Sequence, residues 1–468
     1  MHGNWKASMA RSDETLQWIR QLDPSAGPRY LQIVELIAEA VANGTLRPGD
    51  RLPPQRQFAK LVDVDLTTVT RAYAEARHRN LLDAVTGRGS FISTRKEQSG
   101  PLIDLSMNIP PPPKGIRLAE VMQRGITEVL ARSSADLLMT YHVGAGSLAD
   151  RAAGCAWLEP VLGRIGPARL LVTPGAQPAL AALVSLHAKP GEAVLVEALA
   201  YPGLLAAVRL AGLRPVPVAT DEEGLLPGAL EQAIDESGAK LLCVTPTIQN
   251  PTTATMQPAR RDEIVRIARA RHLRIIEDDP YSLLAGDAPP PLAALAPERT
   301  YHVATLSKVL TPGLRTAFVV LPPDENRDPL VAILRSIALM PAPLMTALAT
   351  HWIRIGAAGD LLDGVRREAA ARQDLARSIL PASARHHPNG LHIWQPLPAH
   401  WDRYRLVEAV RQEGLGVTPS DAFSVEGEAP DAVRISLGGV PERGRLAHAL
   451  KTLAAIMDNE RSQHQGIV

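Results

Sequence analysis

Lys308 lies among small, apolar and hydroxyl residues in the stretch ATLSKVLTPGLRTAF, residues 304–318, and Arg315 follows it by seven positions. A lysine amine in such surroundings could attack a carbonyl group, and with Thr305, Ser307 and Arg315 it could hold an anion. A solvated lysine is nevertheless the more common case at the end of a strand. The stretch by itself leaves a reactive role and a surface role open.

Further polar groups follow apolar runs elsewhere in the chain. IIEDDPYS carries three acids and Tyr281, TIQNPTTATM contains Asn250, and DAVRISLGG places Arg434 inside a strand-like run. One of the acids could bind a metal, but no zinc-type cluster accompanies them, and we predict no metal site. Asn250 stands before a proline and could simply begin a turn. Arg434, if it is buried, needs an anion as its partner.

VTPGAQPAL, residues 172–180, is typical of a strand, a Pro-Gly turn and the start of a helix. The first backbone N–H groups of a helix have no partner within the helix and bind phosphate or carboxylate groups well. This turn is therefore a candidate cradle for a phosphate or another anion. The signal is weak alone, because many turns between a strand and a helix look alike.

The elements that carry these residues are short apolar runs that alternate with helical spacers rich in Ala, Leu and Arg. The runs are RLLVTPG, EAVLVEAL, KLLCVTPT, LRIIEDDPY, TYHVATLSK and TAFVVLP. This alternation predicts the α/β class, with a mostly parallel sheet flanked by helices. Ligands bind such sheets where the strands end, which is where the polar residues lie.

The N-terminal part of the chain has a different pattern. PRYLQIVELIAEAVANGTLRPGD predicts a helix that stops at residues 43–44, and RLPPQRQFAKLV predicts a second helix after its proline pair. VDVDLTTVTRAYAEARHRNLL predicts a third helix, capped by Asp65 and ending near Asn80. LLDAVTGRGSFIS then alternates and turns at residues 87–89. Three helices and a two-stranded wing indicate a winged helix-turn-helix, with a small helical bundle as the alternative.

Charge is distributed unevenly along the chain. The net charge of the whole chain is only +1, whereas residues 47–95 hold nine Lys and Arg against five Asp and Glu. Guanidinium and hydroxyl groups on such a local basic patch are the types that contact DNA phosphates. The plain alternative is a solvated basic face.

The length of 468 residues predicts at least two compact units. We predict an N-terminal extension over 1–24, a winged helix over 25–94, a linker with four consecutive prolines over 95–117, and a ligand-binding domain over 118–468. Two cysteines and an N-terminus without a signal sequence suit the cytoplasm. The uncharged stretches 170–188 and 336–353 are broken by proline, so we expect buried segments rather than membrane spans.

The N-terminal region resembles the winged-helix domain of GntR-type transcription regulators. The resemblance is carried by NGTLRPGDRLPPQRQFAKLVDVDLTTVTRAYAEARHRNLL, followed by GRGSF. The resemblance implies binding to operator DNA through side chains of the second and third helices and through the wing. The matching residues are Arg56, Thr67, Thr68, Arg71 and Gly89. Asn80 stands where the family usually has glycine.

From about residue 102 onward, the order and spacing of the polar residues resemble fold-type I aminotransferases, which bind pyridoxal 5'-phosphate. Together with the GntR-like region, this identifies the chain as a member of the MocR subfamily of GntR-type regulators. The resemblance implies a large domain with a mostly parallel sheet, a smaller C-terminal α+β subdomain over about 360–468, and a homodimer.

The resemblance also implies roles for single residues. Lys308 would form a Schiff base with the cofactor, and Asp278 would keep its pyridine nitrogen protonated, with Asp279 as the less favoured candidate. Arg434 would bind the α-carboxylate of an effector. The other implied cofactor-binding residues are Asn250 and Tyr281 at the phenolic oxygen, Tyr201 on the ring, Ala176, Gln177, Thr305, Ser307 and Arg315 at the phosphate, and Tyr141 at the phosphate of a neighbouring subunit. The chain departs from the family pattern at two places. Ala176 stands where a hydroxyl residue is common, and NPTTAT lacks the usual glycine after NPT.

We therefore expect a cytoplasmic regulator that binds operator DNA and senses pyridoxal phosphate, or a small amine or amino acid, by Schiff-base exchange at Lys308. One alternative is a working aminotransferase with a vestigial DNA-binding region, against which the intact helix-turn-helix sequence argues. The other is a DNA-binding protein whose second domain no longer holds a cofactor. The complete set of Lys, Asp, Asn, Tyr and Arg argues against that.

Overall fold

A computed structural model describes residues 18–19, 22, 27–42, 45–47, 49–78, 81–85, 89–92, 102–142 and 144–459. The chain divides into two compact units, Met1–Gly100 and Pro101–Val468.

The first unit contains three helices and a two-stranded antiparallel sheet. They are α1 (Arg29–Ala42), α2 (Gln55–Leu61), α3 (Leu66–His78), β1 (Leu82–Val85) and β2 (Gly89–Ile92). Apolar side chains from all five elements form one buried core, including Ile33, Ile37, Phe58, Val69, Tyr73, Leu82 and Ile92. The predicted winged helix-turn-helix is confirmed in its elements. The predicted stops at residues 43–44 and at Asn80, and the first two residues of the wing turn, lie outside the described residues.

Two local signals of this unit acted as expected. Pro54 is the residue before α2, so the helix begins directly after the proline pair. The Asp65 carboxylate accepts a hydrogen bond from the backbone N–H of Thr68 at 2.8 Å and so caps α3.

The second unit is built on a seven-stranded sheet with the order β4-β12-β11-β10-β9-β5-β6. Its strands are β4 (Leu170–Thr173), β5 (Ala193–Glu197), β6 (Arg214–Val218), β9 (Leu241–Val244), β10 (Arg274–Asp278), β11 (Thr300–Thr305) and β12 (Ala317–Val320). Only β12 runs antiparallel to its neighbours. Six of the seven strands coincide with the six apolar runs of the sequence, and the predicted α/β class is confirmed.

The edge strand β6 was missed. Its sequence RPVPV holds two prolines, and proline has no N–H for the hydrogen bonds of a sheet. At the sheet edge only one side of the strand needs partners, so prolines are tolerated there. A pair of short strands, β7 (Thr220–Asp221) and β8 (Gly224–Leu225), follows it.

The helices of this part of the unit cover the large sheet or pack on other helices that do. They are α4 (Leu118–Arg132), α5 (Ala135–Leu138), α6 (Leu148–Leu162), α7 (Ala176–His187), α8 (Pro202–Leu210), α9 (Pro227–Ser237), α10 (Pro258–Ala270), α11 (Leu292–Leu295), α12 (Leu306–Val309), α13 (Asp328–Ala338), α14 (Pro343–Arg354) and α15 (Ala357–Arg377). The uncharged stretch 170–188 consists mainly of β4 and α7, and the stretch 336–353 runs from the end of α13 into α14. Within the described ranges, no helix is long and apolar enough to span a membrane.

The C-terminal part adds a four-stranded antiparallel sheet with the order β13-β14-β17-β16. Its strands are β13 (Arg385–His386), β14 (His392–Pro396), β16 (Thr418–Pro419) and β17 (Ala432–Ser436), and its helices are α16 (Arg403–Gln412) and α17 (Arg443–Asp458). These elements and the end of α15 share a hydrophobic core.

The predicted linker over 95–117 needs a correction. Strand β3 (Ile103–Asp104) pairs in parallel with β15 (Leu415–Gly416), and the fully buried Leu105 belongs to the C-terminal core. Lys114 donates its backbone N–H to the carbonyl of Gly364 at 3.1 Å. Residues 102–117 therefore belong to the second unit. Their four prolines form an extended segment on it, whereas 95–101 lie outside the described residues.

Candidate functional site

The candidate site lies at one edge of the large sheet. The last residue of β11, Thr305, is paired with Ala317, the first residue of the antiparallel β12, and Ala317 is paired with Thr173 at the end of β4. This register brings the start of α7, the short helix α12 and the residues before β12 to the same edge. Asp278 ends the neighbouring strand β10 there.

The start of α7 faces the Arg315 side chain. Gly175 precedes the helix with φ +109°, which favours glycine, and no side chain of the described residues caps the first N–H groups. A Cβ on Gly175 would lie only 2.6 Å from Arg315 Nη2, so a larger residue would displace that guanidinium. Gln177 donates its side-chain Nε2 to the carbonyl of Gly203 at 2.7 Å. Ala176 and Gln177 thus offer backbone N–H groups, rather than side chains, to an anion beside Arg315.

Hydroxyl groups continue this anion-binding edge on α12. Thr305 caps the helix by accepting the backbone N–H of Ser307 at 3.1 Å. The Ser307 Oγ is buried and has no hydrogen-bond partner in the described part of the chain. Because a buried hydroxyl without a partner is costly, it suits a site that receives a polar ligand.

Lys308 points into the site rather than into solvent. Its Nζ donates a short hydrogen bond to the backbone carbonyl of Asn108. Burial, followed by the positive charge of Arg434, lowers the pKa of Lys308 from 10.5 to about 8, while Asp278 opposes the shift. The contact and the lowered pKa favour the reactive role over the surface role, and the fraction of the amine that is neutral near physiological pH is larger than in an ordinary lysine.

Asp278 is buried at the end of β10 and makes no hydrogen bond to the described residues. Burial and the neighbouring Asp279 raise the pKa of Asp278 to about 7, and Lys308 lowers it. Asp279 is engaged elsewhere, because it accepts the backbone N–H of Ser282 at 2.9 Å and lies 3.5 Å from His302 Nε2. Of the two acids, Asp278 is the one left to bind a ligand.

Arg434 of β17 is buried and joins three parts of the second unit. Its Nη1 donates to Asn250 Oδ1 at 2.8 Å, and its Nη2 donates to the carbonyl of Ser106 at 2.5 Å. The guanidinium lies 4.9 Å from the ring centre of Phe423. Its Nε is buried and has no partner in the described ranges. A buried arginine with a spare donor is suited to binding a carboxylate.

Two tyrosines complete the cluster. Tyr201 precedes α8, and burial raises its pKa, with Asp278 adding to the rise and Arg315 and Arg434 opposing it. Tyr281 is 1% exposed, and its hydroxyl accepts a hydrogen bond from Asn108 Nδ2 at 2.8 Å. Burial raises the pKa of Tyr281 as well. Both hydroxyls are therefore protonated at neutral pH.

Tyr141 is not part of this cluster. Its side chain is 76% exposed. It was predicted to act on a neighbouring subunit, and that role stays a prediction.

Three polar residues of the site were not predicted from the sequence: Asn108, Glu197 and His392. Glu197 is buried at the end of β5, accepts the backbone N–H of Thr245 at 3.1 Å, and burial raises its pKa to about 8. Asn108 was assigned to the linker. The signal available for Glu197 was the same as for Asp278, an acid that ends an apolar run.

The residues predicted to bind DNA lie on the first unit. Arg56 and Thr67 are exposed on α2 and α3. The hydroxyls of Thr67 and Thr68 both donate to Asp65, so they are engaged in capping α3. These hydrogen bonds hold the pKa of Asp65 well below its usual range.

Arg71 of α3 and Gly89 of β2 are the remaining residues that were predicted to contact DNA. The Arg71 guanidinium lies 4.0 Å from the ring centre of Tyr30, which orients it by a cation–π contact. Gly89 opens β2 with φ +115°, and a Cβ there would lie 3.2 Å from Arg51 Nε.

Comparison with known proteins agrees with both units. The family model "Aminotransferase class I and II" matches residues 100–453, and the model "Bacterial regulatory proteins, gntR family" matches residues 29–92. The uncharacterized HTH-type transcriptional regulator YdeF of Bacillus subtilis is 26% identical over 455 residues, which are 95% of this chain and 97% of YdeF. The HTH-type pyridoxine biosynthesis transcriptional regulator PdxR of Corynebacterium glutamicum is 29% identical and covers 68% of this chain and 72% of PdxR.

A solved structure matches the second unit. The kynurenine aminotransferase of Pyrococcus horikoshii, in complex with PMP, aligns with a TM-score of 0.70 and 25% identity, over 77% of this chain and 91% of that one. The chain therefore belongs to the aminotransferase class I and II family and carries a GntR-family regulatory domain ahead of it, which confirms the predicted MocR-type architecture.

Proposed function

We propose that the protein is a transcription regulator that binds operator DNA through its winged helix and senses pyridoxal phosphate, or an amine or amino acid that reacts with it, at Lys308. The observation that carries the proposal is that Lys308, Asp278 and Arg434 meet in one buried site of a chain that also holds a GntR-family domain.

The donor set of the site fits pyridoxal phosphate. The start of α7 and Arg315 form a cradle beside Gly175. The Cβ of any larger residue at position 175 would fill this space. Ser307 Oγ and Arg434 Nε are buried and have no hydrogen-bond partner among the residues that the structure describes. When bound, the cofactor supplies an aldehyde that condenses with amines and a ring that withdraws electrons.

The residues of the chain would divide the work as follows. Neutral Lys308 would provide the amine that reacts with the cofactor's aldehyde, and Asp278 would hold a proton on its ring nitrogen. Asn250 and Tyr281 would donate hydrogen bonds to its phenolic oxygen. The N–H groups of α7 with Arg315 would bind its phosphate, and Arg434 would bind the carboxylate of an incoming amino acid.

Segment 102–109 offers a route from this site to the DNA-binding domain. The Ser106 carbonyl accepts from Arg434, and the Asn108 carbonyl accepts from Lys308. A carboxylate at Arg434 would compete with Ser106 for the same donors. Because the segment follows the first unit in the chain, we expect this competition to couple effector binding to DNA affinity.

We further propose a homodimer in the cytoplasm, where the operator DNA is. Tyr141 is exposed on the second unit, as a residue that completes a neighbouring subunit's phosphate site has to be. A mass measurement in solution tests the homodimer. Weaker cofactor binding by the Tyr141→Phe dimer would support the role of Tyr141 at the neighbouring subunit's site.

A working aminotransferase is the second candidate. The observation that favours it is the complete set of cofactor-binding side chains, and relatives include the 2-aminoadipate transaminase of Thermus thermophilus, which is 28% identical over 349 residues. In that case an amino acid and a keto acid would be turned over continuously, and DNA binding would not respond to either.

The test combines a spectrum with a DNA titration. Purified protein mixed with pyridoxal phosphate should gain a visible absorption band that Lys308→Ala lacks, whereas the exposed-lysine control Lys189→Ala keeps it. An operator fragment obtained by in vitro selection is then titrated with and without a panel of amines and amino acids. A band that survives Lys308→Ala would refute the site, and DNA affinity that is indifferent to every effector, with rapid turnover, would establish the second candidate.

Hydrogen exchange tests the proposed coupling separately. An amino acid that alters the band should accelerate amide exchange in segment 102–109 of the cofactor-loaded protein. Unchanged exchange there, with altered DNA affinity, would show that the signal takes another path.

A further inference from the structure

A row of buried polar groups leads away from the Tyr281 hydroxyl. Asn108 Nδ2 donates to that hydroxyl at 2.8 Å and lies 3.2 Å from His392 Nδ1. His392 Nε2 lies 3.2 Å from the backbone carbonyl of Gln249. His392 is fully buried, Tyr281 is 1% exposed, and Asn108 is 7% exposed. The row has one end at a carbonyl group and the other end in the candidate site.

The chemistry of the groups fixes the direction of every hydrogen bond in this row. A carbonyl oxygen only accepts, so His392 Nε2 must carry a proton and donate to Gln249. In a neutral imidazole the other nitrogen, Nδ1, is then an acceptor. Asn108 must therefore turn its NH₂ group toward Nδ1, and its second N–H reaches Tyr281. The hydroxyl of Tyr281 accepts from Asn108 and keeps its own proton for a different partner.

The opposite arrangement is excluded by the same contacts. If the Asn108 amide were reversed, its oxygen would face His392 Nδ1, which would then need the proton. His392 Nε2 and the Gln249 carbonyl would become two facing acceptors at 3.2 Å. A doubly protonated ring is opposed by burial and by the charges of Arg434 and Lys308, with His387 adding to them, which lower the pKa of His392 to about 3.

We infer that Asn108 and His392 are positioning residues that direct the hydroxyl proton of Tyr281 toward the phenolic oxygen of the cofactor. The inference rests on the proposed function, because it assumes that pyridoxal phosphate binds at Lys308. Within the described residues, Asn108 is the only hydrogen-bond partner of the Tyr281 hydroxyl, so no other side chain of that part orients it.

Asn250 is oriented by an analogous contact from the other side. Arg434 only donates, so its Nη1 holds Asn250 by Oδ1 and leaves the Nδ2 of Asn250 available as a donor. Both residues predicted at the phenolic oxygen are thus set as donors by their neighbours. Two donors favour the ionised phenolic oxygen over the protonated form.

The first experiment reads the tautomer of His392 in the full-length protein. Protein labelled with ¹⁵N-histidine is examined by NMR, and the His392 signal is identified by its loss in His392→Gln. We expect the Nε2–H tautomer, neutral down to about pH 4. The Nδ1–H tautomer, or a charged ring at pH 7, would overturn the inference, and this measurement does not depend on cofactor binding.

The second experiment follows the pH midpoint of the visible band of the cofactor-loaded protein. Tyr281→Phe should raise this midpoint by about one pH unit, because a hydrogen bond to a charged oxygen is lost. Asn108→Ala should raise it by about 0.3 unit, because a donated hydrogen bond polarises the next one by a modest fraction. His392→Phe should match Asn108→Ala, whereas His392→Gln, which keeps one donor and one acceptor, should match the wild type.

A double-mutant cycle separates positioning from general disruption. In the Tyr281→Phe background, Asn108→Ala should leave the midpoint unchanged, because its effect passes through the missing hydroxyl. An equal shift in both backgrounds would overturn the inference. If Asn108→Ala does not fold, Asn108→Ser takes its place in the cycle. A wild-type protein without any visible band would instead refute the proposed function. In that case the tautomer measurement alone would test the directions of the hydrogen bonds from Gln249 to Tyr281.

Discussion

The reactivity of Lys308 toward pyridoxal phosphate should depend on pH in a way that differs sharply from that of an ordinary lysine. Only the neutral amine attacks an aldehyde, and burial with Arg434 lowers the pKa of Lys308 from 10.5 to about 8. About a tenth of the amine is then neutral at pH 7, roughly 300 times the fraction of an unperturbed lysine. The rate of cofactor uptake should therefore rise with pH to a midpoint near 8.

Arg434→Gln should shift that midpoint upward. The positive charge of Arg434 is the second cause of the lowered pKa, after burial, and glutamine removes the charge while keeping a donor. We expect the pKa of Lys308 to rise by about one unit, since burial retains the larger part of the shift. Uptake at pH 7 should then slow by about tenfold, because the neutral fraction falls by that factor.

The assay is the second-order rate of band formation after pyridoxal phosphate is mixed with cofactor-free protein, measured from pH 6 to 10. The cofactor's own titration is the same for every variant and cancels in the ratio to wild type. Arg164→Gln is a matched control, because the side chain of this arginine is 94% exposed and pairs with the surface residue Glu159. A wild-type midpoint near 10.5, or equal profiles for wild type and Arg434→Gln, would refute the electrostatic reasoning.

Three other substitutions have defined outcomes. Arg71→Ala should raise the dissociation constant for operator DNA by about tenfold or more and leave the visible band unchanged, as fluorescence anisotropy and absorbance will show. Gly175→Ala should weaken pyridoxal phosphate binding by about tenfold in a spectral titration, because the new Cβ displaces the Arg315 guanidinium. Gly191→Ala, at a similar φ of +90° but in open space, controls for backbone strain and should bind normally. Arg372→Met should lower the unfolding free energy of the second unit by about 3 kcal/mol in urea, because it leaves Glu368 and three backbone carbonyls without this donor.

The sheet of the second unit was largely predictable because its buried strands are continuous apolar runs. Six such runs became strands, and the polar residues that follow β4, β10 and β11 met those that precede the antiparallel β12 at one edge of the sheet. Edge strand β6 was not predicted because it contains prolines, which only an edge strand tolerates. A local sequence pattern does not reveal that a strand lies at the edge of a sheet. The antiparallel direction of β12 is set by tertiary pairing, which also lies beyond a local pattern.

The site was predictable where a residue type has a strong chemical reason to follow a strand, as with Lys308 and Asp278. Asn108 was not predictable in this way. It lies in a proline-rich stretch that has the composition of a linker, and only its contacts with residues 173 and 284 positions away make it part of the site. Thr67 and Thr68 show that a sequence match can also miss contacts. Their hydroxyls match a DNA-binding pattern, but in the structure both donate hydrogen bonds to Asp65, the residue that caps α3.

The electrostatics of the site tie anion binding to amine reactivity. Lys308, Arg315 and Arg434 share it with two carboxyl groups, and the pKa values of these carboxyls, Asp278 and Glu197, are raised to about 7 and about 8. The balance at neutral pH is positive, which favours ligands that carry a phosphate or a carboxylate. Both arginines also lower the pKa of Lys308. An anion bound at either arginine offsets its charge and so raises the pKa of Lys308. The neutral, nucleophilic fraction of this lysine is therefore largest before the anions bind. Anion binding and the reactivity of Lys308 therefore depend on the same two positive charges, and we expect a substitution at either arginine to alter anion affinity and lysine reactivity together.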